Sequence, residues 1–149
     1  LPALSGRVVD LGAGWGFLAR HILTSDMVTA LDLVEADLTA LDCARENVAD
    51  PRASFHWADA TDYRPDTPVD VVVSNPPFHT GRAGDPGLGR AFIASAAAML
   101  APTGTFWMVA NRHLPYEDAL TAQFREVDEV GGTPGFKVIR ASKPLRSRT

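Results

Sequence analysis

The stretch Ser74-Asn75-Pro76-Pro77-Phe78-His79 gathers a carboxamide, backbone carbonyls and an aromatic ring on one short tip. Proline fixes φ and has no N–H to donate, and a residue before proline is pushed to an extended conformation. The tip is therefore stiff. An exocyclic amine on a base or an amide is a poor nucleophile, because its lone pair is delocalised. Two acceptors aimed at its two N–H groups localise that pair as attack begins. The Asn75 side-chain oxygen and the Pro76 carbonyl can be those acceptors, and the two prolines hold them in place beforehand, the kind of preorganisation that stabilises a transition state. Phe78 can stack on a flat base. The bland alternative is a loop merely stiffened by its prolines.

A second constellation lies near the start of the chain. Asp10-Leu11-Gly12-Ala13-Gly14-Trp15-Gly16 joins an apolar run to an amphipathic one. Glycines at such a junction permit a tight turn and let a ligand approach the backbone closely. The dinucleotide fingerprint is G-x-G-x-x-G, built around a pyrophosphate. The spacing here is G-x-G-x-G, which argues against a nicotinamide or flavin enzyme and leaves less room for a phosphate. Glu35 falls at the end of the second apolar run, where a carboxylate can accept both hydroxyls of a ribose; Asp32, inside that run, is its rival. Asp59 falls at the end of the third, placed either to accept from the amine of an adenine or to cap the next turn. Glycine turn and acids together describe a nucleoside pocket, and S-adenosylmethionine is a ligand of that kind.

These residues need a scaffold that brings strand ends together. Strands are expected at Arg7–Leu11, Val28–Val34, Ser54–Ala58, Val69–Ser74 and Thr105–Ala110 from their apolar, β-branched composition. Helices are expected at Phe17–Leu23, from Asp37 as cap to about Val48, at Arg90–Leu100, and from Pro115 to about Phe124. Leu38, Leu41, Ala44 and Val48 share one face of the second helix. Pro102-Thr103-Gly104 reads as a turn, and residues 79–89 read as a glycine-rich loop. Val127–Val130 and Phe136–Ala141 flank a Gly/Pro turn and are close enough to pair antiparallel. Strands alternating with helices imply an α/β fold, a doubly wound, mostly parallel seven-stranded sheet with helices on both faces. In such a sheet ligands bind at the carboxyl ends of the strands.

The totals are consistent with one domain over residues 1–149. The apolar share is 46% and the charged share 21%, ordinary for a globular protein. Cys43 is the only cysteine, which excludes an intrachain disulfide and a cysteine-rich zinc site. It is expected to be a small buried residue. No apolar run is long enough for a membrane span and no leader with a cleavage site is seen, so a cytoplasmic location is expected. The net charge of -4 counts against an autonomous nucleic-acid binder. His21, His56 and His113 lack metal-ligand spacing and are expected to be structural. Trp57 and Trp107 are expected in the core, whereas Trp15 either borders the pocket or packs on the sheet.

The glycine turn with Glu35 and Asp59 resembles the class I S-adenosylmethionine-dependent methyltransferases. The interval from Glu35 to Ala44-Arg45-Glu46-Asn47 fits that family and favours Glu35 over Asp32. Asn75-Pro76-Pro77-Phe78 resembles the (Asn/Asp/Ser)-Pro-Pro-aromatic signature of its amino-methyltransferases. His79, the stretch Val109-Ala110-Asn111-Arg112-His113-Leu114-Pro115-Tyr116, and Phe136-Lys137-Val138 narrow the likeness to the ribosomal RNA small-subunit methyltransferase C family and its large-subunit relatives. The resemblance covers nearly the whole chain. It implies methyl transfer from S-adenosylmethionine to guanine N2 of ribosomal RNA, leaving S-adenosylhomocysteine, with neither metal nor covalent intermediate. Asn75, Pro76, Pro77 and Phe78 would be catalytic. Asp10, Gly12, Gly14, Gly16, Glu35, Asp59 and Asn75 would hold the cofactor. Phe78, His79, Arg82 and Arg112 would meet the substrate, with a cap on the loop as the other reading of His79.

The partner implied is ribosomal RNA, a ribosomal subunit or an assembly intermediate, with no membrane. The family's members carry a further N-terminal domain, so the chain is expected to be the C-terminal part of a longer protein. Lys137, Arg140, Lys143, Arg146 and Arg148, with Arg82 and Arg90 beside the loop, either touch phosphate or are simply solvated. Two other readings are an adenine-N6 or protein glutamine-N5 methyltransferase with the same chemistry, and a cofactor-binding module without catalysis.

Overall fold

A computed structural model of the chain describes residues 2–75, 86–111 and 116–145, without the side chains of Pro86 and Asn111. Pro76, Pro77, Phe78, His79, Arg82, Arg112, His113, Arg146 and Arg148 lie outside the described residues. In chain order the elements are β1 Gly6–Leu11, α1 Phe17–Ile22, β2 Val28–Glu35, α2 Leu38–Asn47, β3 Ala53–Trp57 and β4 Val69–Ser74. There follow α3 Pro86–Met99, β5 Leu100–Asn111, α4 Glu117–Gln123, β6 Phe124–Gly132 and β7 Phe136–Pro144.

The strands form one seven-stranded sheet in the order β3-β2-β1-β4-β5-β7-β6. Strands β1 to β5 pair parallel. β7 inserts antiparallel between β5 and β6, as the short Gly/Pro turn between the last two strands requires. Strand order reverses direction between β1 and β4, so their carboxyl ends border the crevice in which open α/β sheets bind ligands.

Both faces of the central strands are covered, which is why their sequences read as unbroken apolar runs. Alternate residues serve different cores. Val8, Leu31, Leu33, Val71, Val73 and Trp107 pack with Ala19, Ile22, Ala44 and Val48 of α1 and α2. Val9, Leu11, Val72, Phe106 and Met108 pack with Phe92, Ile93 and Leu120 of α3 and α4.

Several sequence expectations need correction. The turn expected at Pro102-Thr103-Gly104 is an irregularity within β5: Leu100 pairs with Val69, and Thr105 with Val71. Helix α3 starts at Pro86, before the expected Arg90, and includes Gly89. A Cβ there would lie 2.3 Å from the buried Tyr116 ring. Close packing against α4 thus retains a residue that helix propensity disfavours. Trp57 is 63% exposed, because it ends β3, an edge strand. Cys43 is exposed. It sits about 200° around α2 from buried Leu41, at roughly 100° per residue. Leu38, expected on the buried face, is exposed at the first turn. Trp107 is buried as expected, and Trp15 is half exposed and borders Phe17.

Candidate active site

The crevice holds a cavity of about 640 Å³, lined by Gly12, Gly14, Glu35, Ala36, Asp37, Asp59, Ala60 and Asn75, with Leu88 and Phe92 from α3. It therefore brings together the ends of β1, β2, β3 and β4. Gly12, Gly14, Glu35, Asp59 and Asn75 meet in it as the sequence reading requires. A second hollow of about 600 Å³ lies between α1 and the β5–β7 pair, bordered by Phe17, Val109, Phe136 and Val138. It has no carboxylate and is mostly apolar, so the chemistry belongs to the first.

The glycine turn leaves β1 through hydrogen bonds from Gly12 and Ala13 N–H to Val34 O, at 2.8 and 3.0 Å. Gly12, Gly14 and Gly16 all have positive φ, at 73°, 57° and 96°, where side chains are strained. A Cβ on Gly14 would meet nothing within 4 Å, whereas one on Gly16 would lie 2.8 Å from Val48. Gly14 thus keeps the cavity wall bare, and Gly16 lets α1 start hard against α2. Gly16 does not line the cavity; its contribution is to place the turn. Asn47, at the end of α2, donates from Nδ2 to Trp15 O at 2.9 Å and ties the turn down from the other side.

Glu35 is the hub. Its Oε1 accepts from Gly14 N–H at 2.8 Å and its Oε2 from Asp37 N–H at 2.9 Å. One carboxylate fixes the glycine turn and the entry to α2, and each oxygen keeps a lone pair for a ligand hydroxyl. Asp37 caps α2 as expected, accepting from Thr39 and Ala40 N–H. The rival, Asp32, does not reach the cavity. It is buried three residues before the end of β2 and bound by Arg7 at 3.2 Å and His56 at 3.0 Å.

Asp59 satisfies both readings that the sequence left open. Its Oδ1 accepts from Thr61 N–H at 2.8 Å and Thr61 Oγ1 at 2.7 Å, and the residue lines the cavity. Those two bonds hold its carboxyl below the ordinary range. It therefore stays an acceptor with Oδ2 uncommitted by them. Asn75 is exposed at the tip of β4. Below it, Ser74 Oγ donates to Leu11 O at 2.9 Å and locks the β4 tip to the β1 tip.

Asp10 differs from all of these. It is 0% exposed, and neither carboxylate oxygen has a hydrogen-bond partner among the described residues. Burial, and then the charge of Glu35, push its pKa up to about 7. It does not line the cavity but lies directly before the turn that does. Sequence reasoning placed Asp10 at the cofactor without this sealed, partnerless state, which only the packing reveals. It also missed Trp57, whose indole Nε1 donates to Ala36 O at 2.9 Å and pins the segment between Glu35 and Asp37.

Two members of the basic run are engaged within the protein. Lys137 is buried and its ammonium is bound by Glu117. Lys143 is paired with Glu126.

The methyltransferase small domain family model matches residues 1–140. The chain belongs to that family. Ribosomal RNA small subunit methyltransferase C of Shewanella sp. strain MR-4 is 34% identical over 128 residues, covering 85% of this chain and 37% of the relative. Ribosomal RNA large subunit methyltransferase G of Ectopseudomonas mendocina is 36% identical over 141 residues, covering 92% of this chain and 38% of the relative. Among solved structures, a T. thermophilus 16S rRNA N2 methyltransferase in complex with AdoMet and guanosine superposes with a TM-score of 0.75 at 30% identity. That match covers 92% of this chain and 37% of the other. The chain thus spans well under half the length of these relatives. The seven-stranded sheet and the family agree with the sequence reading. No helix among the described residues is long and apolar enough to cross a membrane.

Proposed function

We propose that this chain is the catalytic domain of an S-adenosylmethionine-dependent methyltransferase acting on guanine N2 of ribosomal RNA. The observation that carries the reading is that one cavity joins the bare glycine turn, Glu35 and Asp59 to Asn75. A nucleoside site and an amine acceptor therefore share a wall.

The residues fit the cofactor. Gly12 and Gly14 leave room at the backbone for its amino-acid end, Glu35 offers two carboxylate oxygens to the ribose, and Asp59 keeps an oxygen for the adenine amine. When bound, S-adenosylmethionine supplies an electrophilic methyl group on its sulfonium. Asn75 holds one N–H of the acceptor amine through its side-chain oxygen and keeps the nitrogen lone pair aimed into the cavity. In this reading the backbone of Pro76 would be the second acceptor, Phe78 and His79 would meet the base, and Arg82 and Arg112 would serve the RNA. The ring of Phe92 and the side chain of Leu88 form the apolar wall from α3 that keeps water from the adenine. No strong base is needed, since the amine becomes acidic once methylated.

The relatives' names supply the substrate: both curated relatives are ribosomal RNA methyltransferases. A cytoplasmic location fits a ribosomal RNA substrate. Their greater length supports placing residues 1–149 as the C-terminal part of a longer protein with an N-terminal domain. The reading is tested by incubating the full-length protein with ribosomal RNA and isotopically labelled cofactor, followed by nucleoside mass spectrometry. Labelled N2-methylguanosine is expected. Label in N6-methyladenosine, or none in RNA, overturns it.

A further inference from the structure

Helix α3 is rich in alanine toward its end, and one polar side chain interrupts the run. Positions 94, 96, 97 and 98 are alanine, and Ser95 alone among them bears a hydroxyl. It is 2% exposed. A buried helix serine can satisfy itself on the carbonyl of the preceding turn. Ser95 instead reaches across to the segment after β3. Its Oγ donates to Thr61 O at 3.0 Å and accepts from Arg64 Nη1 at 3.1 Å. The same Nη1 donates to Tyr63 O at 2.7 Å. Packing alone would be served by one more alanine, since a hydroxyl is costly to bury unless it is paired.

Thr61 is thereby held from both sides. Its N–H and Oγ1 donate to Asp59 Oδ1, and its carbonyl is bound by Ser95. Asp59 O accepts from the N–H groups of Asp62 and Tyr63, both at 3.0 Å, and closes the turn around it. An exposed carboxylate is free to swing into water unless its turn is held. Here the carboxylate at the cavity is anchored, through one residue, to a buried group of α3. The same helix walls the cavity. Phe92 and Leu88 precede Ser95 by one and two turns on the same side of the helix, and they line the cavity with Asp59 and Ala60. One helix therefore supplies the apolar wall and fixes the acid beside it.

We propose that Ser95, with Arg64 outside it, is a positioning residue that makes the cofactor site select an adenine over a purine without the exocyclic amine. By fixing the Thr61 carbonyl it keeps the Asp59 turn in place, so that Oδ2, which Thr61 leaves uncommitted, stays directed at the amine. An oxygen held there accepts from an amine and repels a carbonyl at the same ring position. An acid free to swing lets water intervene and distinguishes the two poorly. This inference rests on the cofactor reading above, and deepens it by naming what confers selectivity for the base.

Calorimetric titration of the full-length protein with S-adenosylhomocysteine and with S-inosylhomocysteine reads that selectivity, because the second ligand carries a carbonyl where the first has its amine. The parent should prefer S-adenosylhomocysteine by about tenfold or more, as a hydrogen bond to a charged group predicts. Ser95→Ala should weaken S-adenosylhomocysteine about fivefold and leave S-inosylhomocysteine within about twofold. A merely structural role would weaken both alike. Arg64→Ala, at an exposed position, should act in the same direction by about two- to threefold, and it keeps the test alive if Ser95→Ala folds poorly. In Asp59→Ala the selectivity should vanish, and adding Ser95→Ala should change it no further, as for two residues serving one contact. Equal weakening of both ligands in the Ser95 and Arg64 variants, unchanged selectivity in both, or a Ser95→Ala effect that persists in full when Asp59 is alanine, overturns the role of Ser95 and leaves the cofactor site standing. A parent without preference between the two ligands overturns it as well. No binding of S-adenosylhomocysteine by the parent overturns both this role and the cofactor reading.

Discussion

Two polar clusters grow from neighbouring strands, one at their carboxyl ends and one further back, and they are built on opposite terms. Arg7, Asp32 and His56 form a closed set. Asp32 Oδ2 takes Arg7, its Oδ1 takes His56, and Arg7 Nη1 reaches on to Thr67 Oγ1 at 2.8 Å. The His56 ring rests on Tyr63 at 5.0 Å between centroids. Asp10, Glu35, Asp59 and Asn75 form an open set, in which Glu35 and Asp59 are held mainly by backbone N–H groups and Asp10 by nothing among the described residues. A buried acid with charged partners has been spent on the fold. An acid left with unused acceptor capacity at a sheet edge is available to a ligand. Strands β1 and β2, and β3 with the residues just after it, carry both kinds three positions apart, as Arg7 and Asp10, Asp32 and Glu35, and His56 and Asp59, and nearness to the carboxyl edge separates them.

The largest effect should come from the open set. Asn75→Ala removes the side-chain acceptor for the amine and is expected to lower the single-turnover methylation rate of the full-length protein by about 10²–10³. Binding of S-adenosylhomocysteine should change little, since the backbone wall remains. Unchanged single-turnover rates would mean that Asn75 is not the acceptor, and that the open set binds without catalysing.

Glu35→Ala is expected to come next. It strips two backbone N–H groups of their acceptor and the ribose of its carboxylate. Loss of charge-assisted hydrogen bonds of this kind predicts a 10- to 100-fold weaker affinity for S-adenosylhomocysteine by calorimetry, about 1.4–2.8 kcal/mol. If affinity held while thermal stability fell, Glu35 would belong with the closed set.

Asp32→Asn should show the reverse pattern. The buried pair loses its charge, and Arg7 and His56, each partly exposed, recover some solvation. A loss of about 2 kcal/mol in unfolding free energy is expected, or roughly 5 °C in Tm for a chain of this size. Affinity for S-adenosylhomocysteine should stay within about twofold. A fall in affinity as large as that of Glu35→Ala would erase the distinction between the two clusters.

The sequence made much of the open set legible because backbone geometry there leaves compositional traces. A positive φ demands glycine at 12, 14 and 16, a capped helix demands something like Asp37, and a buried parallel strand demands a run such as Val71-Val72-Val73. Glu35 could be chosen over Asp32 only by the spacing to Asn47; in the structure Asn47 braces the turn that Glu35 fixes. What stayed hidden depends on surroundings that spacing does not encode. Trp57 looked like core because it is large and apolar, but strand order puts it on an edge. Cys43 falls off the face marked by Leu41, Ala44 and Val48, and the type of the residue outweighed its position. The pairing of Lys137 with Glu117 joins residues twenty apart in sequence, and no local pattern announces it. The partnerless state of Asp10 is a property of every neighbour it lacks.

The finest test of the comparison is Asp59, which has a foot in each camp. Thr61 engages Oδ1 twice, as a structural cap would, while the residue stands in the cavity wall as a ligand contact would. Thr61→Val keeps the N–H bond and deletes the hydroxyl bond. Asp59 is largely exposed, so the stability change should be below about 1 kcal/mol. Its sign with pH is fixed: bonds that lower a carboxyl's pKa in the folded state stabilise above the unfolded value near 3.8 and are lost as pH falls through the folded value. The difference in Tm between Thr61→Val and the parent should therefore be largest near neutral pH and shrink toward pH 3. Affinity for S-adenosylhomocysteine should fall only two- to threefold, because the carboxylate remains but is less firmly aimed. A drop of tenfold or more would show that orientation by Thr61, and not the mere presence of a carboxylate, is what the adenine end of the cavity requires.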